Sequence, residues 1–192
     1  MLKMNIFFLS MSIKRCARYH FDKHVVKMIL EYCQLLSTAW HILAPDEAKI
    51  HHTDNKIYRP THKNHPCTIW VRQHINNYLY VCRLGLELCE EWRYRYQHTR
   101  EHKSEPKLLF LLNNIPPIPS YNIIKNKHNP KSLKLPLPQA MPPEYKRTRN
   151  TVHTSVKAYR KYYQSPEKEH IVSWTKKRDG TKVQLTKPPW FK

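Results

Sequence analysis

Between Phe21 and Leu43 the apolar side chains return at steps of three and four, as Val25, Ile29, Tyr32, Leu36 and Trp40, which is the period of an α-helix with a buried face. Ala44-Pro45 ends that run. The period reappears from about Pro66 to Gln97, where Trp70, Tyr78, Val81, Leu88 and Trp92 form the stripe. The pattern therefore predicts two long core helices joined by a polar, turn-rich connecting loop over residues 45–65. Ahead of them, Ile6-Phe7-Phe8-Leu9 is too short for periodicity to separate a strand from a first helical turn. From Lys103 to Pro143 nine prolines forbid long helices. Leu108 to Leu112 leaves room for one short helix. Ile115, Ile118, Tyr121, Ile123, Leu133, Leu135 and Leu137 offer anchors for an extended strap laid over the core, a disordered linker being the alternative. Helical character returns over residues 148–164. The expected fold class is mainly α: a single compact domain spanning residues 1–192, with a helical core (1–100), a Pro-rich strap (103–143) and a basic, aromatic C-terminal helix and tail (144–192).

Composition narrows what such a scaffold does. The formal charge of +20, from 34 Lys and Arg against 14 Asp and Glu, imposes a self-repulsion that a polyanion relieves, and nucleic acid is the commonest such partner. Gly85 and Gly180 are the only glycines, too few for a phosphate-cradling loop, a dinucleotide fingerprint or a hairpin-rich sheet. P-loop ATPases, Rossmann enzymes and Gly-dependent hairpin-motif DNA glycosylases are excluded together. The cysteines Cys16, Cys33, Cys67, Cys82 and Cys89 are odd in number and contain no C-x-x-C pair, as expected of reduced core thiols. With Ile6–Leu9 far too short for a secretion signal or a membrane span, the expected setting is a reducing intracellular compartment, with no membrane partner.

Candidate chemistry gathers in three places. On a helical wheel His20, His24, Lys27, Glu31, Gln34 and Thr38 lie within about 40° of one line, edged by Asp22 and Lys23. Such a stripe on a broadly apolar helix faces either solvent or a cleft. In a cleft, crowding and desolvation lower the pKa of Lys27 toward a nucleophilic amine, while Glu31 or Asp22 moves a proton or holds developing positive charge. Next, Arg59, His62, Lys63, Asn64 and His65 lead to Pro66, which fits a first helical position. With Arg72 two turns along, that helix N-terminus is a candidate phosphate seat. His51, His52, His62, His65 and Cys67 match no familiar zinc spacing, so no metal and no cofactor is expected. Finally, thirteen Lys or Arg against four acids between Glu144 and Lys192 are interleaved with aromatics, making Arg160, Lys161 and Trp190 candidates for phosphate and base contacts.

The run Asp22-Lys23-His24-Val25-Val26-Lys27-Met28-Ile29-Leu30-Glu31, the loop Thr61-His62-Lys63-Asn64-His65-Pro66 and the following Trp70-Val71-Arg72 resemble proteins of phages and large DNA viruses. Pro138-Gln139-Ala140-Met141-Pro142, Ala158-Tyr159-Arg160-Lys161-Tyr162-Tyr163 and the Pro-Trp-Phe ending extend that resemblance over most of the chain. The order of a short apolar run, a helix, a loop ending Asn-His-Pro and a second long helix is also similar to the pyrimidine-dimer DNA glycosylase/AP lyase family. That resemblance implies a small helical enzyme that flips out a nucleotide, attacks the sugar C1′ with its N-terminal amine and uses a first-helix carboxylate. It implies duplex DNA, damaged or abasic, as partner, and a host cytoplasm or nucleus as the setting. Offset from the chain start points to Asp22 as the carboxylate and helical context to Glu31; Met1 and Met4 both stand as starts. Two alternatives remain: a non-catalytic nucleic-acid-binding protein, and an enzyme acting on free nucleotides.

Overall fold

The computed structural model describes residues 4–118 and 137–192. Its first feature is a threaded run. Met4 to Ser10 are all buried and lie outside any helix or strand, with Phe8 packed on Trp70 and Tyr80 and Phe7 stacked on His24. Among the described residues no strand pairs with it, so its backbone polar groups find side chains, as buried peptide groups must. Phe7 N donates to the Tyr32 hydroxyl at 3.3 Å, the Cys16 thiol donates to Phe7 O at 3.2 Å, and Arg160 Nε donates to Leu9 O at 2.8 Å.

Seven α-helices follow among the described residues: α1 (Ile13–Tyr19), α2 (Asp22–Leu43), α3 (Pro45–Thr53), α4 (Pro66–Gln73), α5 (Ile75–Tyr96), α6 (Glu105–Asn113) and α7 (Val152–Tyr163). The two long ones, α2 and α5, pack against each other at the centre; α1 and α6 lean on α5, and α3 and α4 on α2. Gly85 lets α6 approach α5, since a Cβ there would meet the Leu108 methyls at 3.0 Å. The architecture is mainly helical, as the periodicity predicts.

The differences from the sequence reading have local causes. Ser12 caps α1 by accepting from Arg15 N at 3.4 Å, a helix too short to announce itself by period. Residues 45–65 are not all loop, because Pro45 opens α3 instead of merely ending α2, its missing N–H being harmless at a first helical position. The second long helix is broken at His74, whose backbone is extended and whose imidazole accepts from Asn76 N at 3.0 Å. The next turn is tied across the break by Asn77, whose side-chain amide donates to Trp70 O at 2.9 Å.

In the Pro-rich stretch the expected short helix is α6. Ile118 and Leu137 are buried as anchors, whereas Ile115 is exposed; Tyr121, Ile123, Leu133 and Leu135 lie outside the described residues. After α7, a 3₁₀ turn over Pro166–Ile171 leads to an antiparallel hairpin, β1 (Thr175–Arg178) and β2 (Thr181–Gln184). Its turn, Asp179-Gly180, has φ of 48° and 81°, the positive pair that a two-residue hairpin turn requires. With one of only two glycines placed there, this chain does build a primed turn.

Candidate active site

His20 is not on the first long helix. It closes α1, fully buried, with Nδ1 2.8 Å from Cys16 O and Nε2 3.2 Å from the Tyr32 hydroxyl. Burial pushes its pKa down to about 4. His24, one turn into α2, lies against the Phe7 ring with Nδ1 2.6 Å from the Tyr163 hydroxyl. Its burial, with His20, Lys168 and Lys27 nearby, holds its pKa well below the ordinary imidazole value. Both imidazoles are therefore neutral at pH 7. Between about pH 6.5 and 4 the unfolded chain binds protons that the folded chain refuses, so stability falls as pH falls. His20 alone accounts for about 3 kcal/mol below pH 4. The urea midpoint is expected to drop steadily from pH 7 to pH 4.5; an unchanged midpoint would contradict neutral burial of these rings.

Beyond His24 the stripe opens onto a cavity of about 500 Å³. One wall is Asn5 and Phe7 from the threaded run with Lys23, His24, Lys27 and Met28 from α2. The other is Pro142, Tyr162, Glu167, Lys168, His170 and Ile171. Glu31 stands behind the first wall, 7% exposed. One carboxylate oxygen takes Lys27 Nζ at 2.7 Å and the other accepts from Asn5 N at 3.3 Å. Asn5 is itself fixed, its amide donating to Ala140 O at 2.7 Å and its Oδ1 accepting from the Tyr159 hydroxyl at 3.0 Å. Across the cavity Lys168 places Nζ 4.8 Å from the centre of the Tyr162 ring and 5.6 Å from that of Phe7. Desolvation lowers its pKa, Glu167 and Glu31 oppose that, and Lys27 reinforces it.

Asp22, the carboxylate suggested by offset, has another occupation. Its oxygens accept from Arg95 Nη1 at 2.9 Å, Ser173 Oγ at 2.6 Å and Thr175 Oγ1 at 2.8 Å, and from Thr175 N. Burial alone would raise its pKa, but these donors outweigh it and hold the carboxyl below its ordinary value. Asp22 is a structural anchor, and of the two candidate carboxylates it is Glu31 that meets an amine, that of Lys27, at the cavity.

The phosphate-seat residues lie elsewhere on the same helical stripe. Thr61 exchanges hydrogen bonds with Thr38, the hydroxyl accepting from Thr61 N at 3.0 Å and donating to Thr61 O at 3.1 Å. That dock is eleven residues beyond Lys27, about 16 Å along the helix. Arg59, His62, Lys63 and Asn64 are exposed there, and Arg72 Nη1 donates to Lys63 O at 2.8 Å. His65 caps α4, its Nδ1 accepting from Cys67 N at 3.2 Å, and the Cys67 thiol donates to Asn5 Oδ1 at 3.9 Å. The start of α4 thus abuts Asn5, while the loop itself does not line the cavity.

In the C-terminal region Arg160 and Trp190 are internal closures. The guanidinium that holds Leu9 O also sits 5.3 Å over the Trp190 ring, which packs edge-on to Tyr19. Lys161 is exposed, donating to Glu144 O at 3.4 Å. Among the described residues no group of three or more His, Cys, Asp or Glu side chains is gathered as metal ligands, and no helix is long and apolar enough to cross a membrane.

Sequence reasoning missed Lys168, Glu167, His170 and Asn5. The first three sit in Pro166-Glu167-Lys168-Glu169-His170, which reads as a solvated charge run, and only the fold turns it over α2. Asn5 carried the one usable signal, as the polar residue opening the buried Ile6–Leu9 run.

A strongly basic helical chain with a buried carboxylate paired to a lysine amine at the wall of a cavity suits a polyanionic partner such as nucleic acid. The pyrimidine dimer DNA glycosylase family model matches residues 4–104, just over half of the 192 residues, and the chain belongs to that family. Membership brings a DNA-repair, glycosylase-like role and DNA as partner. No curated protein and no solved structure matches the chain. The matched segment carries the first wall of the cavity and Glu31; the second wall lies beyond it.

Proposed function

We propose that this chain is a DNA glycosylase/AP lyase that attacks the C1′ of a damaged or abasic nucleotide with an amine held at Glu31. The observation that carries this reading is the Glu31 carboxylate bonded on one oxygen to Lys27 Nζ and on the other to Asn5 N. Lys27 supplies an amine at that place in the chain as it stands. A chain starting at Met4 would bring its own α-amine, of pKa near 8, to the residue next to Asn5.

Attack requires the neutral amine, and Glu31 is placed to take its proton. As the nitrogen bonds C1′, the glycosidic bond breaks and the base departs with its electron pair. One amine proton passes to the departing base and the other to the ring oxygen as the sugar opens, which leaves an imine on C1′. Glu31 also places negative charge beside the positive charge that builds on the sugar. Lys168, from the second wall, adds a cation that faces the developing negative charge of the departing base and the substrate phosphates. On an abasic sugar the same imine forms with loss of water in place of the base.

The test is borohydride reduction in the presence of duplex DNA carrying an abasic site or a thymine dimer, followed by mass mapping of the adduct. A covalent product on Lys27 or on the N-terminal peptide supports the reading. No adduct above a denatured control sinks the lyase mechanism and leaves a DNA-binding protein.

A further inference from the structure

We propose that the hairpin of β1 and β2 is a duplex-DNA-binding arm rooted next to the cavity. The hairpin lies outside the family-matched segment, and its charge is arranged against its own stability. Pairing sets Lys177 directly across from Lys182, and like charges directly opposite destabilise a strand pair. Both are exposed, and no described acid lies within ion-pair distance of either. Arg178 sits beyond them, next to the turn, its nearest acid Asp179 at 3.9 Å with both side chains in solvent. Such a pair costs an isolated ribbon stability, whereas two phosphates relieve it.

The root is as fixed as the tip is free. Trp174 is 1% exposed, with its indole N–H donating to Tyr19 O at 3.2 Å, and Asp22 grips Ser173 and Thr175. On the opposite face Lys176 Nζ lies 4.0 Å over the Tyr94 ring of α5. All four residues of β2 are exposed. A strand of four residues reaches roughly 13 Å at ~3.3 Å per residue, and a two-stranded ribbon fits the major groove of duplex DNA. The position suits the purpose: Ile171 lines the cavity four residues before β1 starts, and the anchoring Asp22 precedes the cavity residues Lys23 and His24.

The experiment is fluorescence anisotropy of the full chain with an undamaged 20-base-pair duplex across a salt series. Lys177→Gln with Lys182→Gln is expected to weaken binding about tenfold and to lower the salt slope by about 2, from ~0.9 per phosphate contact. Lys49→Gln with Lys103→Gln, which removes equal charge from exposed positions elsewhere, is expected to change the slope by less than half as much. Lys177→Glu alone, which creates a cross-strand pair with Lys182 and so keeps the ribbon, is expected to weaken binding as well. Equal losses in the hairpin and control variants, unaltered binding by Lys177→Glu, or a loss seen with single-stranded but not duplex DNA would each overturn the arm. Borohydride trapping at saturating DNA separates this from the lyase reading: it should be unchanged in the hairpin variants, and a chain that never traps can still show the binding loss.

Discussion

Replacing Glu31 by glutamine is expected to cut the rate of covalent trapping on abasic DNA by about 10²–10⁴, the usual reach of a positioned acid or base, while the protein stays folded. The substitution keeps volume at a site 7% exposed and keeps an oxygen able to accept from Asn5 N at its present 3.3 Å. It removes the charge that pairs with Lys27 at 2.7 Å and the base that would free the amine. Single-turnover trapping measured beside a thermal melt checks both halves. A variant that traps within about threefold of the unsubstituted protein would remove Glu31 from the mechanism.

The largest loss of stability is expected from Arg95→Met. Arg95 is 1% exposed and spends its guanidinium on four acceptors: Glu91 Oε1 at 2.7 Å, Asp22 Oδ1 at 2.9 Å, His20 O at 2.9 Å and Arg18 O at 2.8 Å. Methionine fills some of the volume and bonds none of them. Two largely buried carboxylates then lose their cation, a change that costs about 3–5 kcal/mol, or a fall in thermal midpoint of roughly 10 °C for a chain of this size. Lysine, a point charge without the planar fork, should recover only part of it. Unfolding in urea reads the difference directly, and a free energy within about 1 kcal/mol of the unsubstituted protein would show that the network is dispensable.

These two residues also show what the sequence could and could not reveal. Glu31 was legible because it lies on α2, where period and polarity together mark a stripe, and long amphipathic helices state their own geometry. Arg95 was not, since its acceptors come from α1 and its C-cap His20, from the start of α2 and from α5, and nothing local distinguishes it from Arg93. The same division runs through the fold. The two central helices follow from spacing, although the break at His74 depends on a side-chain cap that periodicity does not register. α1 is too short to show a period, and α3 was hidden by reading Pro45 as a stop when it is equally a start. At the cavity, the wall from α2 was readable as chemistry in register. The wall carrying Lys168 was not, because a charged run says nothing about which surface it will be folded against. Asp22 is the instructive confusion: a carboxylate at a plausible offset, whose partners Ser173 and Thr175 are some 150 residues away.

The five thiols lend this protein an experimental convenience. All are buried and unpaired with one another, and burial raises each thiol pKa, Cys33 and Cys67 to about 12. Since the thiolate is the reacting species, alkylating reagents should pass over the native fold at neutral pH. A cysteine substituted for Lys182 would then be the one handle that labels quickly. A fluorophore or a phosphorothioate cross-linker placed there would report where the hairpin sits along a bound duplex, with no need to strip the core of its own sulfur.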